Sequence, residues 1–298
     1  MKKLVQIPRF TELNPYLVMN FVFDEITPGF KYLGFEVRVV NKKEELEDGG
    51  LIFFDDKAYK TNRQILDYIG LLCPNSVAIC WYWQDMNYKP FQYMIHTGEY
   101  YLKTPTSPEH LQRFMTYMKF PTYVPLVFRP NELPTKIGTY ERNVLRDYCY
   151  MGAKYKSDWV PSSPEFTGIY NAGDWDVYLP YDKRREIYLS STFALGFHDT
   201  IAIDCGSISA RIFEGLIYGC VVFCESEFVC EYTENTVVHI KSKGDLENKM
   251  RYYKNNPELI KEKQLQGYNW MRTKGGTNML SCSFFLNKIK EQYKIDFY

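Results

Sequence analysis

The sequence predicts an α/β protein of two domains, each a parallel sheet covered by helices. Three observations carry this. Short apolar runs alternate with helix-length stretches along most of the 298 residues, the pattern of parallel sheets with helices on both faces. A stretch from Arg129 to Tyr140, containing Pro130, Pro134 and Gly138, interrupts that alternation. The length suits two domains of ordinary size.

In chain order, Leu4 to Ile7 reads as a first buried strand. A helical region follows over about Asn14 to Leu33, broken at Pro28-Gly29. Gly34 precedes a second strand, Phe35 to Val40. Leu51 to Phe54 is a third, ending in Asp55-Asp56. Thr61 is placed to cap a helix that runs to about Leu72. Ser76 to Trp83 is a fourth strand and Tyr100 to Lys103 a fifth. Ser107-Pro108-Glu109 starts a helix, because proline is tolerated at the first helical position. Tyr123 to Phe128 is a sixth strand. Beyond the Pro/Gly stretch, Asp147 to Met151, followed by Gly152, opens a second sheet. Arg184 to Ser190 is a helix and Thr192 to Phe197 a strand. Trp159 to Pro180, rich in Pro, Gly and aromatics, receives no assignment. Thr277 to Tyr293 is a terminal helix.

The segment Ser207 to Ser226, SISARIFEGLIYGCVVFCES, carries the most chemistry. Ser207 or Ser209 caps a helix, and Gly219 sits where a helix ends. Ile208, Ile212, Phe213, Leu216 and Ile217 form an apolar stripe, while Ser207, Arg211, Glu214 and Tyr218 share another face. Cys220 to Cys224 is a buried strand. One face thus offers a hydroxyl, a guanidinium and a carboxylate near a helix start, which favours phosphate and ribose hydroxyls. A surface ion pair between Arg and Glu is the ordinary alternative.

Arg211, Phe213, Glu214, Gly215, Leu216, Gly219 and Cys220 resemble the nucleotide-sugar signature of GT-B glycosyltransferases, of the exostosin-like and group 1 types. The likeness continues through Val237 to Ile240, through Lys243-Gly244-Asp245-Leu246 and through Tyr252 to Glu258. It is good from about 185 to 275 and loose before. It implies two Rossmann-like βα domains facing across a cleft: an acceptor-side domain over 1–130 and a nucleotide-sugar domain over 141–276. The helix 277–298 would pack back on the first. The activity implied is sugar transfer from a nucleotide sugar, a UDP-sugar first and a GDP-sugar second, to a hydroxyl of a glycan or glycoconjugate.

Ligands of open parallel sheets bind beyond the carboxyl ends of the strands. There lie Gly152, Lys154 and Lys156, then His198 and Asp199, then Ser207, Arg211 and Glu214, then Glu225 and Ser226. Gly152, Lys154, Ser207, Arg211 and Glu214 are the expected donor set. Lys154 or Arg211 would neutralise the departing diphosphate, and the resemblance gives Glu214 the ribose hydroxyls. No metal and no other cofactor is expected, since GT-B enzymes generally lack Asp-x-Asp. Asp174-Trp175-Asp176 has that spelling in loop-like surroundings and reads as coincidence.

A general base should deprotonate the acceptor. Asp24, Glu25 and Asp85 are the candidates, with Glu12, Asp55, Asp56, His96 and Glu99 behind them. Trp81, Trp83 and Tyr88 suit sugar stacking or an ordinary core. Many retaining relatives carry a second Glu eight positions before the helical one. Here Gly206 stands there, which leans toward inversion. A sugar-nucleotide epimerase and a catalytically silent glycan-binding protein are the competing readings.

Composition narrows the class. The net charge is zero, which argues against nonspecific nucleic-acid binding. The eight cysteines have no zinc spacing and suit reduced, packed thiols in a cytoplasmic protein. No stretch approaches the ~18 apolar residues of a membrane span, so a membrane-bound acceptor would be reached from the surface.

Overall fold

The computed structural model describes residues 1–8, 26–55, 63–81, 91–98, 102–118, 122–125, 129–152, 158–170 and 179–298. It divides into two compact units. The first holds Met1–Glu99, Leu111–Leu126 and Asn278–Tyr298, and the second Tyr100–His110 and Val127–Thr277.

The first unit is built on a parallel sheet of β1 (Leu4–Pro8), β2 (Glu36–Val40), β3 (Leu51–Asp55), β4 (Val77–Trp81), β5 (Tyr93–Gly98) and β6 (Tyr123–Pro125). Their order is β2-β1-β3-β4-β5-β6. All five of its pairings are parallel. β1 is buried throughout, as an interior strand covered on both faces must be. Its one polar side chain, Gln6, donates from Nε2 to the Glu47 carbonyl at 2.7 Å and accepts the Glu47 N–H at 2.8 Å. That removes the cost of burying an unpaired amide.

The fifth strand is a correction. It runs over Tyr93–Gly98, ahead of the expected Tyr100 to Lys103, the first two of which lie outside the described residues. Its apolar signal is interrupted by His96 and Thr97, which are buried yet satisfied. His96 Nδ1 meets Thr122 Oγ1 at 3.0 Å, and Thr97 Oγ1 donates to the Val124 carbonyl at 2.7 Å. His96 is therefore inside the strand rather than ahead of it.

The helix Asn278–Tyr293 completes this unit. It buries Cys282, Phe285 and Ile289. Phe285 meets Phe53 of β3 edge-on, with ring centroids 6.4 Å apart. Tyr293 Oη donates to the Met94 carbonyl at 2.8 Å and accepts the Met94 N–H at 3.1 Å, serving an edge of β5 with both of its functions.

The second unit carries β7 (Arg146–Tyr150), β8 (Gly168–Tyr170), β9 (Ser191–Leu195), β10 (Val221–Cys224) and β11 (Val238–His239). They are parallel, in the order β11-β10-β9-β7-β8. β8 lies in the stretch left without assignment. The helix Thr200–Cys205 is also new, capped by Asp199, whose Oδ1 accepts the Ala202 N–H at 2.6 Å. The Pro/Gly stretch is no loose tether. Arg129 is buried there, donating from Nε to the Gly275 carbonyl at 2.6 Å. Glu132 accepts from Tyr140 Oη at 2.6 Å and from Tyr218 Oη at 2.9 Å.

The central element is the helix Ala210–Ile217, whose apolar stripe is buried. Gly215 lets it sit close on the sheet: a Cβ there would fall 2.7 Å from Val222 Cγ2 of β10 and 3.0 Å from Ala194 Cβ of β9. At its end the Cys220 N–H reaches the Gly215 carbonyl at 2.8 Å and the Gly219 N–H the Leu216 carbonyl at 3.2 Å. Gly219 has φ +75°. This is a Schellman turn, whose left-handed residue is most often glycine.

Candidate functional site

The carboxyl ends of β7, β9 and β10 place three backbone turns beside the start of the Ala210–Ile217 helix. Arg211 leaves the first helical turn and donates from Nη1 to the Phe197 carbonyl at 3.0 Å, two residues beyond β9. Its guanidinium lies over the Tyr150 ring, 5.8 Å from the centroid, at the end of β7. Gly152 follows two residues later, and a Cβ at that position would run into Arg211 Nη1. Gly152 is thus the gap through which the guanidinium reaches the end of the sheet.

The helix begins at Ala210, later than a start at Ser207 would require. Ser209 takes the N-cap position without a side-chain cap bond. Ser207 is buried, and its N–H is used by the Ala202 carbonyl at 2.8 Å. The reason is the preceding helix, which ends at Gly206 in the left-handed region, φ +72°, and draws Ser207 into its own terminus.

His198 holds the N-cap backbone instead: its Nε2 accepts the Ser209 N–H at 3.1 Å. Below the ring lie Cys224 Sγ, 3.5 Å from Nδ1, and Glu225 Oε2, 3.9 Å away. Glu225 Oε1 also accepts the His198 N–H at 2.7 Å. Burial raises the Glu225 carboxyl, but its bonds to His198 outweigh that and hold it below the usual range. Burial and the Glu225 charge push the Cys224 thiol well up. A carboxylate beside an S–H follows. His198, Cys224 and Glu225 have their ligand-type atoms within 4.8 Å of one another. With Nε2 accepting a backbone N–H, a neutral ring has its proton on Nδ1, and a metal on that nitrogen would have to displace it.

Glu214, three residues after Arg211, faces elsewhere. It is 2% exposed, and its Oε1 lies 3.1 Å from Arg184 Nη2 of the helix Tyr181–Leu189. The contact is one of charge, since Oε1 accepts no hydrogen bond of regular geometry among the described residues. Tyr188, on the same helix as Arg184, has its hydroxyl pushed up by burial and then by the Glu214 charge. The structure therefore brings Gly152 and Arg211 together and gives Glu214 a partner that nothing in the motif foretold. The doublet Arg184-Arg185 inside a predicted helix was the available signal.

Asp199 and Ser226 are helix caps, the latter accepting the Val229 N–H at 3.4 Å. Lys154, Lys156, Asp24, Glu25, Asp85, Glu12, Asp56, Glu99, Trp83, Tyr88, Asp174 and Asp176 lie outside the described residues. Asp55 closes β3 and Trp81 closes β4. All eight cysteines are buried and unbridged. No helix among the described residues is long and apolar enough to cross a membrane.

Two parallel sheets of six and five strands with helices match the fold of GT-B glycosyltransferases among solved structures. The chain is similar over 99% of its length to T4 phage β-glucosyltransferase, 100% of which is covered, at 11% identity and a TM-score of 0.56. The T4 phage enzyme in complex with its UDP-glucose substrate gives 0.58, at 10% identity over 99% of this chain and 100% of that one. An α-glucosyltransferase in complex with UDP and a 13-mer DNA containing an HMU base gives 0.61, at 9% identity over 96% and 99%. At these identities the likeness establishes the GT-B fold. No protein-family model matches the chain, and no curated protein matches it.

Proposed function

We propose that the protein is a glycosyltransferase that moves a sugar from a nucleotide donor, UDP-linked by preference, to a hydroxyl of a glycan or glycoconjugate. The observation that carries this is Arg211 at the carboxyl edge of the second sheet, admitted by Gly152, in a fold whose neighbours hold UDP-glucose. A fixed guanidinium beside a helix N-terminus suits a diphosphate leaving group. Lys154 would share that charge, Ser207 would lie beside it, and Glu214 would take the ribose once released from Arg184. One of Asp24, Glu25 and Asp85 would act as base, with inversion at the sugar and no obligatory metal.

A second reading differs only in the acceptor. The α-glucosyltransferase neighbour was solved with DNA, so a modified DNA base is a second candidate, set against the zero net charge of this chain. The test is nucleotide release from a panel of UDP- and GDP-sugars, with glycan and modified-DNA acceptors, in the presence and absence of a chelator. The expected result is UDP release that a glycan stimulates and chelation leaves intact. Arg211→Ala should weaken UDP binding by at least ~10-fold, about 1.4 kcal/mol, without unfolding the protein. A new sugar isomer would indicate an epimerase, and binding without turnover a silent protein. Wild-type UDP affinity in the Arg211 variant would remove the donor site from this edge.

A further inference from the structure

We infer that His198 is a positioning residue for the start of the Ala210–Ile217 helix, and that it acts only as the neutral imidazole protonated on Nδ1. Its effect on donor affinity rests on the glycosyltransferase reading; its tautomer does not. A backbone N–H can only donate. Since the Ser209 N–H points at Nε2 from 3.1 Å, Nε2 must accept, and a neutral ring then has its proton on Nδ1. That proton faces a thiol sulfur and a carboxylate, both able to accept it.

Two consecutive residues hold the helix start. Phe197 offers its carbonyl to the Arg211 side chain, and His198 offers its ring to the Ser209 backbone. Glu225 fixes His198 in turn, through the His198 N–H and beside the ring. The Glu225 carbonyl is itself met by His239 Nε2 at 3.3 Å. Ile212 at the third helical position has no acceptor to reach back to the Ser209 N–H, so the ring takes the part that a Glu or Gln there plays in a capping box.

A second proton on the ring would set an N–H against the Ser209 N–H. One of the two must withdraw, and Arg211 lies two residues along. The groups facing the ring are Glu225 and Cys224 from the end of β10 and Ser209 from the helix. Arg211 sits against the neighbouring carbonyl and His239 against Glu225. The neutral ring therefore sets the helix start, and acid that adds the second proton should disturb it.

The experiment is nitrogen NMR of the full chain with labelled histidine and backbone, followed by UDP titrations from about pH 8 to about pH 5. His198 is expected as the Nδ1–H tautomer, with the Ser209 amide moving at the same midpoint as the ring. UDP affinity of the wild type should fall about tenfold more over that range than affinity of His198→Gln. The glutamine oxygen reaches the Nε2 position and accepts the Ser209 N–H without titrating. The phosphate's own titration is common to both proteins and cancels. An Nε2–H tautomer, a Ser209 amide indifferent to the ring, or an unchanged acid limb in His198→Gln would overturn the inference. If the wild type binds no UDP at either pH, the donor reading fails, and the tautomer and the Ser209 amide decide this one.

Discussion

Glu214 and Arg184 place an ion pair where water barely reaches, with the carboxylate 2% and the arginine 8% exposed. Burying two charges costs several kcal/mol each, and their attraction only offsets it. Removing one partner leaves the other charge in the interior. Glu214→Ala is therefore expected to lower stability by about 3–5 kcal/mol, read from urea unfolding. Replacing both residues by leucine should recover a large part of the loss. A Glu214→Ala loss below that of an exposed pair, about 1 kcal/mol or less, would show that the pair opens freely. That outcome would favour a carboxylate available to a ribose.

Two segments of the second unit, Thr106 to His110 and the helix Thr200–Cys205, are tied by one carboxylate. Asp204, near the end of the helix Thr200–Cys205, accepts the Thr106 N–H at 2.8 Å, the Thr106 hydroxyl at 2.6 Å and the Ser107 N–H at 3.1 Å. His110 Nδ1 lies 2.7 Å away. These residues open the helix Pro108–Met118, whose N-terminus favours a negative charge. The Thr106 bonds, followed by those of His110 and Ser107, outweigh burial and hold the Asp204 carboxyl far below its usual range. The depressed value fixes the sign. The stabilisation is fully present above the unfolded aspartate value of about 3.9 and is lost as the pH falls below it. Asp204→Asn should therefore be less stable than wild type at neutral pH, with the difference shrinking below about pH 4. Unfolding curves at several pH values check this. A gap that stays constant into acid would assign the loss to geometry rather than charge.

At the scale of the molecule, the chain gives Tyr100–His110 to the second unit, returns to the first over Leu111–Leu126, builds the rest of the second over Val127–Thr277 and ends in the first. The returning helix Asn278–Tyr293 supplies Cys282, Phe285 and Ile289 to the interior of the first unit and a tyrosine to the β5 edge. Gly29 accommodates it: a Cβ there would lie 2.6 Å from the Asn278 carbonyl oxygen. Truncation after Gly276 should therefore remove amide protection from β3, β4 and β5 while β9 and β10 keep theirs. Hydrogen exchange followed by mass spectrometry reads both units in one experiment. Equal loss in the two sheets would mean that they fold as one cooperative body.

Period and punctuation were enough to place most strands, because a buried parallel strand is a short apolar run whatever surrounds it. The helix of Arg211 and its glycine stop were legible for the same reason, since a stripe and a left-handed residue are local properties. β5 escaped because His96 and Thr97 are polar yet buried, and their partners lie 26 and 27 residues away. The site divides likewise. Residue types and spacing put Arg211 and Glu214 on one helix. Packing alone turned the first toward Phe197 and Gly152 and the second toward Arg184, and gave the start of that helix to His198. A side chain's direction is chosen by whichever distant group can satisfy its charge or hydrogen bond, and such pairings become visible only when the chain is folded.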